Sequence, residues 1–282
     1  MRSIVIYNSR SGSALPLDAL KQLFKNTDIS VLKYIDITQE GYERAVATYR
    51  STPSIVLIGY GGDGTLNSVA EQAVKHNMVF APLPGGTLNH FTKDLGVNQD
   101  IERAIARIPQ AKRHSIDTAQ VNGRLFLNNS SLGIYPTSLQ ERSRLEDIIG
   151  KWPAALYASI RAFVRFRIYT ITINEQTYKT PFIFVGNNLY NIDSLMERKA
   201  INGGVLGVYM VASSKRLTLV KIALLALIGR ARSANEFKAF ETNTIEIHID
   251  RRYVRVSYDG EHHKIKTPIH YTIQQKSLTV LV

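Results

Sequence analysis

The chain has 282 residues and a mass of 31.6 kDa, enough for two hydrophobic cores, since single domains most often run to roughly 100–150 residues. It contains no cysteine, which excludes a disulfide framework, a thiolate metal site and a cysteine nucleophile. Lysine and arginine exceed aspartate and glutamate by 35 − 23 = 12, a balance that suits a nucleotide or an anionic membrane surface. Nucleic acid is disfavoured, because no interleaved aromatic and basic reader motif is present.

The N-terminus, MRSIVIYNSRSG, holds a four-residue apolar run, too short for the core of a signal peptide; a cytoplasmic location is expected. The first third then alternates strand-like and helix-like patterns. SIVIYN, ISVLKYID, SIVLIGY and VFAPLP read as strands. LDALKQLFKN, a stretch around EGYERAVATYR and a run from Leu66 to Lys75 read as helices. Such alternation predicts an α/β layer with a mostly parallel sheet. From about Val121 the period changes to two, in RIYTITI, KTPFIFVG, VLGVYMV, NTIEIHI, YVRVSYDG and SLTVLV, which predicts an antiparallel sheet or sandwich. Helical runs interrupt it at Leu139 to Phe166 and at Leu217 to Arg230. The change of period alone places a domain boundary near Arg113 to Asn122, which gives domains of 1–118 and 119–282.

Three loops at equivalent strand ends carry the candidate chemistry. GYGGDGT connects the third strand to the helix expected at Leu66; its glycines let backbone approach a ligand, and the amides at the helix N-terminus favour an anion. The plain alternative is a glycine-rich turn with an aspartate cap. NSRSGSA, residues 8–14, follows the first strand, and PLPGGTLNHF, residues 82–91, follows the fourth. Ligands collect at the carboxyl ends of parallel strands, and three such loops together favour a phosphate cradle. GxxxxGK[ST] and GxGxxG loops are both absent.

GGDGTLN (61–67), PLPGGTLNHFTKDLG (82–96) and DGE (259–261) together resemble the catalytic domain shared by diacylglycerol kinases, sphingosine kinases and bacterial lipid kinases. The resemblance runs from NSRSG to the final strand. It implies an N-terminal Rossmann-like (phosphofructokinase-like) nucleotide domain, 1–118, a C-terminal antiparallel β-sandwich domain that takes the lipid substrate, 119–282, and a site in the cleft between them. It implies ATP contacts at Asn8, Ser9, Arg10, Ser11, Gly12 and Thr38, then at Gly61, Gly62, Asp63, Gly64, Thr65, Asn67 and Thr87. Asp259 corresponds to the general base for the lipid hydroxyl, with Asp63 as the alternative base. Glu261 corresponds to a ligand for the nucleotide or its Mg²⁺, and Asp63 to a second metal-facing acid. Phosphoryl transfer needs these parts: an in-line hydroxyl, a carboxylate near its proton, and magnesium on the triphosphate.

Taken alone, VSYDGEHHKI reads as a hairpin, because Asp-Gly between two strands is a strong type I′ signal. The chain departs from the family pattern at Ser68, at His90 and at Asn202-Gly203, where bacterial diacylglycerol kinases have an Asp-Asp-Gly segment that helps hold a structural magnesium; a second metal is therefore not expected. The vicinal pair His262 and His263 points to opposite faces of a strand. The resemblance places lipid recognition near residues 126–144. Residues 145–167 suit an acyl groove or simple packing on the sandwich. LTLVKIALLALIGRAR, residues 217–232, is too short to span a bilayer and reads either as a buried helix or as a helix touching an anionic lipid surface at the inner face of the membrane. A homodimer is compatible with all of this. Two further readings stay open: a lipid- or nucleotide-binding module of the same fold without catalysis, and a soluble-substrate kinase of the NAD kinase type.

Overall fold

A computed structural model describes residues 1–11, 15–39, 41–133, 167–191, 197–227 and 230–282. Gly12, the expected helix at Leu139 to Phe166 and most of the stretch 126–144 fall outside the described residues. The chain divides into two compact units, Met1–Thr118 with Gln274–Val282, and Ala119–Ile273.

The first unit opens with β1 (Arg2–Tyr7), α1 (Leu17–Lys25), β2 (Ser30–Asp36), α2 (Tyr42–Ala47), β3 (Val56–Gly61), α3 (Asp63–His76) and β4 (Val79–Pro84). The short helices α4 (His90–Asp94) and α5 (Ile101–Arg107) follow, and then β5 (Arg113–Val121). The strands lie in the order β2-β1-β3-β4, all parallel. Val280, in the chain's last strand, runs parallel to Phe80 of β4, so the first unit includes residues from both ends of the chain. β3 is buried at every position, as a central parallel strand covered on both faces must be. Its apolar run packs with Val5, Leu20, Phe24, Leu83 and Ile105 in one core. Helix α3 begins at Asp63, three residues before the expected Leu66. Gly62 takes the cap position with extended backbone, and Asp63 and Thr65 fill the first turn, where an acid complements the helix dipole. GYGGDGT is thus a much shorter turn than its glycines suggest.

The second unit runs through β6 (Arg124–Phe126), β7 (Asn129–Gly133), β8 (Tyr169–Ile173), β9 (Gln176–Thr180), β10 (Phe182–Asn187), β11 (Tyr190–Asn191), β12 (Glu197–Arg198) and β13 (Leu206–Val211). α6 (Arg216–Leu227), β14 (Phe237–Thr242), β15 (Thr244–Ile249), β16 (Tyr253–Tyr258), β17 (Glu261–Lys266) and the first residues of β18 (Ile269–Leu281) complete it. One sheet has the order β14-β13-β10-β7-β16-β17 and is antiparallel throughout. Strands β18, β15, β8 and β9 pair antiparallel in a second layer. Leu132, Ile183, Val185, Val208 and Val256 of the first layer share a core with Ile171, Ile245, Ile247 and Tyr271 of the second. This is the sandwich that the period-two pattern predicts: alternate residues enter the core and the rest face outward.

Ile58 lies in the centre of β3 and is fully buried. Ile58→Ala is expected to lower the stability of the first unit by about 2–5 kcal/mol, measured by urea unfolding, because the lost methyl groups leave a cavity in a close-packed core.

Candidate functional site

In the first unit the loops after β1, β3 and β4 are neighbours because those strands are neighbours. The contact between the second and third is made by backbone. The Gly85 amide donates to the Gly61 carbonyl at 2.9 Å. A Cβ on Gly86 would lie 2.5 Å from the Gly62 Cα, and one on Gly85 would lie 2.9 Å from the Gly61 backbone. Gly85 and Gly86 are therefore needed for loop to meet loop, before any ligand arrives.

Asp63 holds the same two loops together. Its carboxylate accepts from the His90 amide at 3.2 Å and the Phe91 amide at 3.0 Å. Those amides open α4 and have no partner inside that helix. Asn89 enters α4 with φ 53°, in the left-handed region, and its side chain accepts from the Gly86 amide at 2.9 Å. Each Asp63 oxygen retains a further acceptor site, since a carboxylate offers about four.

The loop after β1 is tied in by side chains. Asn8 Nδ2 donates to Thr65 Oγ1 at 3.0 Å, and Ser11 Oγ donates to the Gly85 carbonyl at 2.8 Å. The Arg10 amide donates to Asn8 Oδ1. Ser9 and Thr38 meet at 3.4 Å over Asp36, whose Oδ1 accepts from the Thr38 amide and hydroxyl at 3.0 and 2.9 Å. Burial by itself raises the Asp36 carboxyl, but its hydrogen bonds from Ser9 and Thr38 outweigh that and hold its pKa below the usual carboxylate value. Asp36 therefore adds stability above the usual carboxylate pKa and loses it as pH falls through the lowered value. No residue pattern marked Asp36; its only signal is a place at the end of β2, two residues before Thr38. Thr87 is exposed in the loop before α4.

In the second unit, Asp259 and Gly260 form the β16–β17 turn with φ 45° and 84°. This is the Asp-Gly hairpin legible in VSYDGEHH, with both central residues at positive φ. The Asp259 carboxylate turns back onto the link between β6 and β7. Oδ2 accepts from the Leu127 amide at 2.7 Å, and Oδ1 from the Asn128 and Asn129 amides at 2.7 and 3.3 Å. The side chain is buried, and burial raises its pKa from 3.8 to about 6, against the opposing pull of the three amides and the nearby Arg198. The folded chain thus binds this proton more tightly than the unfolded one, so Asp259's contribution to stability falls as pH rises from about 4 to about 6.

The amides that hold Asp259 are held in turn. Asn187 Nδ2 donates to the Leu127 carbonyl at 2.8 Å, and the Asn187 amide to the Asn128 carbonyl at 2.9 Å. Tyr190 Oη donates to that same carbonyl at 3.1 Å, and Arg198 Nη2 bonds Asn128 Oδ1. Asn187, Tyr190 and Arg198 had no sequence signal, and Asn128 had only its place in the stretch 126–144; the four come from three separate segments and converge only through the sheet. Glu261 is exposed and lies 3.6 Å from His263 Nε2, whose ring stacks on Tyr258 with centroids 4.2 Å apart. Among the described residues no group of three His, Asp or Glu is disposed to hold a metal ion.

A family model, the diacylglycerol kinase catalytic domain, matches residues 2–121. The diacylglycerol kinase of Bacillus subtilis (strain 168) is 22% identical over 283 residues, spanning 93% of this chain and 90% of the relative. That of Staphylococcus saprophyticus is 33% identical over 174 residues, spanning 55% of this chain and 52% of the relative. A crystal structure of a diacylglycerol kinase from Bacillus anthracis str. Sterne superposes with a TM-score of 0.70 at 22% identity, covering 99% of this chain and 96% of that one. At that identity the likeness is one of fold.

Gly86→Ala is expected to cost about 1–3 kcal/mol, read as a lowered melting temperature, since backbone on the far side has no room to give. A Cβ on Gly62 meets its nearest atom at 3.4 Å, so Gly62→Ala is expected to melt above Gly86→Ala.

Proposed function

We propose that this chain, a member of the diacylglycerol kinase family through its residues 2–121, is a kinase that moves the γ-phosphate of ATP to a hydroxyl of a lipid. The observation that carries the reading is the Asp259 carboxylate. It is buried, fixed by three backbone amides, and poised at about 6. A general base works best with a pKa near the operating pH. Two acceptor sites of Oδ1 are occupied and one of Oδ2, which leaves one site on Oδ2 for an incoming hydroxyl.

The roles divide between the units. In the first, the loops of Asn8 to Gly12, Gly61 to Asn67 and Thr87, with Thr38, cradle the triphosphate with backbone amides and small hydroxyls. Magnesium brought with the nucleotide would neutralise phosphate oxygens; the acids that would hold it are Asp63, through the acceptor sites that α4 leaves free, and Glu261. In the second unit, Asp259 takes the lipid hydroxyl proton on Oδ2 as the oxygen bonds the γ-phosphorus and the bond to ADP breaks. Little covalent chemistry falls to the protein; positioning and charge do most of it.

Access to a lipid is supported by α6. Leu219 and Ile222 pack on Val211 and Ala234, while Leu217 is 84% exposed and Val220 39%. Lys215, Lys221 and Arg230, in and beside the same helix, are exposed too, Lys221 lying 4.0 Å from Glu236. Exposed apolar residues on a helix that also carries exposed cations suit an anionic bilayer surface, and among the described residues no helix is long and apolar enough to cross one.

Incubation with labelled ATP, Mg²⁺ and a total lipid extract is expected to yield a phosphorylated lipid, with Asp259→Asn at least a hundredfold slower. For the native chain kcat/KM should climb about tenfold per pH unit up to about 6 and level off above it. A flat profile through that range counts against Asp259 as the base, and phosphorylation of NAD in place of any lipid overturns the lipid reading. Leu217→Glu is expected to weaken co-sedimentation with phosphatidylglycerol vesicles about tenfold, the loss of one buried leucine; unchanged binding removes α6 from the membrane contact.

A further inference from the structure

The hairpin of β16 and β17 closes one edge of the six-stranded sheet. Val254 and Val256 of β16 and Ile265 of β17 enter the core, so the residues alternating with them face the other way. Register sets Tyr253 opposite Lys266 and Arg255 opposite Lys264 on that outer face. Arg252 immediately precedes β16, and it is exposed like the other four. The Tyr253 ring lies under two of these cations, 4.8 Å from Lys264 Nζ and 5.6 Å from Arg252 Cζ. Among the described residues no carboxylate forms an ion pair with Arg252, Arg255, Lys264 or Lys266.

Such an arrangement opposes folding. Side chains directly opposite on antiparallel strands have Cβ atoms about 5 Å apart, and like charges there are destabilising. Lysine on an edge strand has a plain use, to discourage pairing with another sheet. That use accounts for Lys264 and Lys266. It does not account for Arg255 and Tyr253, because β16 is paired on both sides, with β7 and with β17. Unpaired cations held together against their own repulsion point to an anionic partner.

The rest of the outer face narrows that partner. Leu132 aligns with Ile183 on β10 and with Val256 on β16, and Ile183 with Met210 on β13. One residue along from these core positions, the outer row reads Phe237, Val211, Phe182, Gly133, Arg255 and Lys264. Helix α6 packs on the first three through Leu219 and Ile222. Strands β10 and β16 are two apart, about 10 Å, so the cations stand beside α6, on the side of the sheet that carries exposed Leu217 and Val220. Apolar helix residues next to cations and a tyrosine match the headgroup region of a bilayer. Single-stranded nucleic acid is instead held by aromatic rings whose faces are open to bases, and the Tyr253 ring has cations over it. Resting on the membrane contact of α6 proposed above, we infer that Arg252, Arg255, Lys264 and Lys266 bind the phosphates of an anionic lipid surface, with Tyr253 at headgroup level, so that hairpin and helix dock together.

The experiment titrates the full chain with phosphatidylglycerol vesicles and with phosphatidylcholine vesicles, comparing native, Leu217→Glu and the double variant Arg255→Gln, Lys264→Gln. Loss of each cation is expected to weaken binding to phosphatidylglycerol about fivefold, hence about 25-fold for the double variant. Binding to phosphatidylcholine should be weaker and the same in both. Raising NaCl from about 0.1 M to about 1 M shortens the Debye length from about 10 Å to about 3 Å, which should largely close the gap between native and double variant. The melting temperature of the double variant should hold or rise, since a like-charged pair is gone; this separates lost binding from lost folding. Phosphatidylglycerol binding by the double variant equal to that of the native chain overturns the inference, whatever Leu217→Glu shows for α6. Tighter binding of the native chain to a single-stranded oligonucleotide than to the vesicles, at equal phosphate, overturns it as well. Neither arm uses turnover, so the kinase reading is decided separately.

Discussion

The close approach of Gly61 and Gly62 to Gly85 and Gly86 is the constraint on which the first unit's candidate site depends. Two loops that each emerge from a buried parallel strand must meet with no side chain between them, and the Gly85 amide to Gly61 carbonyl bond fixes their spacing. Once they meet, Asp63 reaches across to the free amides of α4, and Ser11 reaches the Gly85 carbonyl. The loop after β1 is then drawn in through Asn8 and Thr65. The three loops are thereby held together by contacts within the protein alone, and preorganisation of this kind reduces the ordering cost of binding a ligand.

The second unit solves a different problem, how to keep a carboxylate buried and still useful. Burial alone would hold the Asp259 proton strongly; three amide donors and Arg198 pull the other way. The balance falls at about 6, between an ordinary surface acid and a carboxyl that stays protonated at neutral pH. That balance depends on the β6–β7 link being held rigid by Asn187, Tyr190 and Arg198.

Much of the fold was legible because hydrophobic period is a local property. SIVIYN, ISVLKYID, SIVLIGY and VFAPLP fall in β1 to β4, and YVRVSYDG becomes β16 and its turn. Short elements escaped: α4, α5, β6, β11 and β12 are too brief for a period to register. The start of α3 was displaced because glycine disfavours helix locally, while the contact with the second loop, a long-range effect, decides the matter. The strand at SLTVLV was visible, but its return to β4 across most of the chain's length was not.

The sequence by itself determined the two kinds of layer, the turn chemistry at Asp259-Gly260, and the family motifs that carry the kinase reading, since each is written in contiguous residues. Only the tertiary structure decided what those motifs touch. That the glycine pairs face one another, that Asp63 caps α4, that Asp259 sits against the amides of residues 127–129, and that α6 and the cations of β16 and β17 share one side of a sheet all depend on register between strands far apart in the chain. Register is set by the packing of whole faces, and a change of one residue would send every side chain to the opposite side.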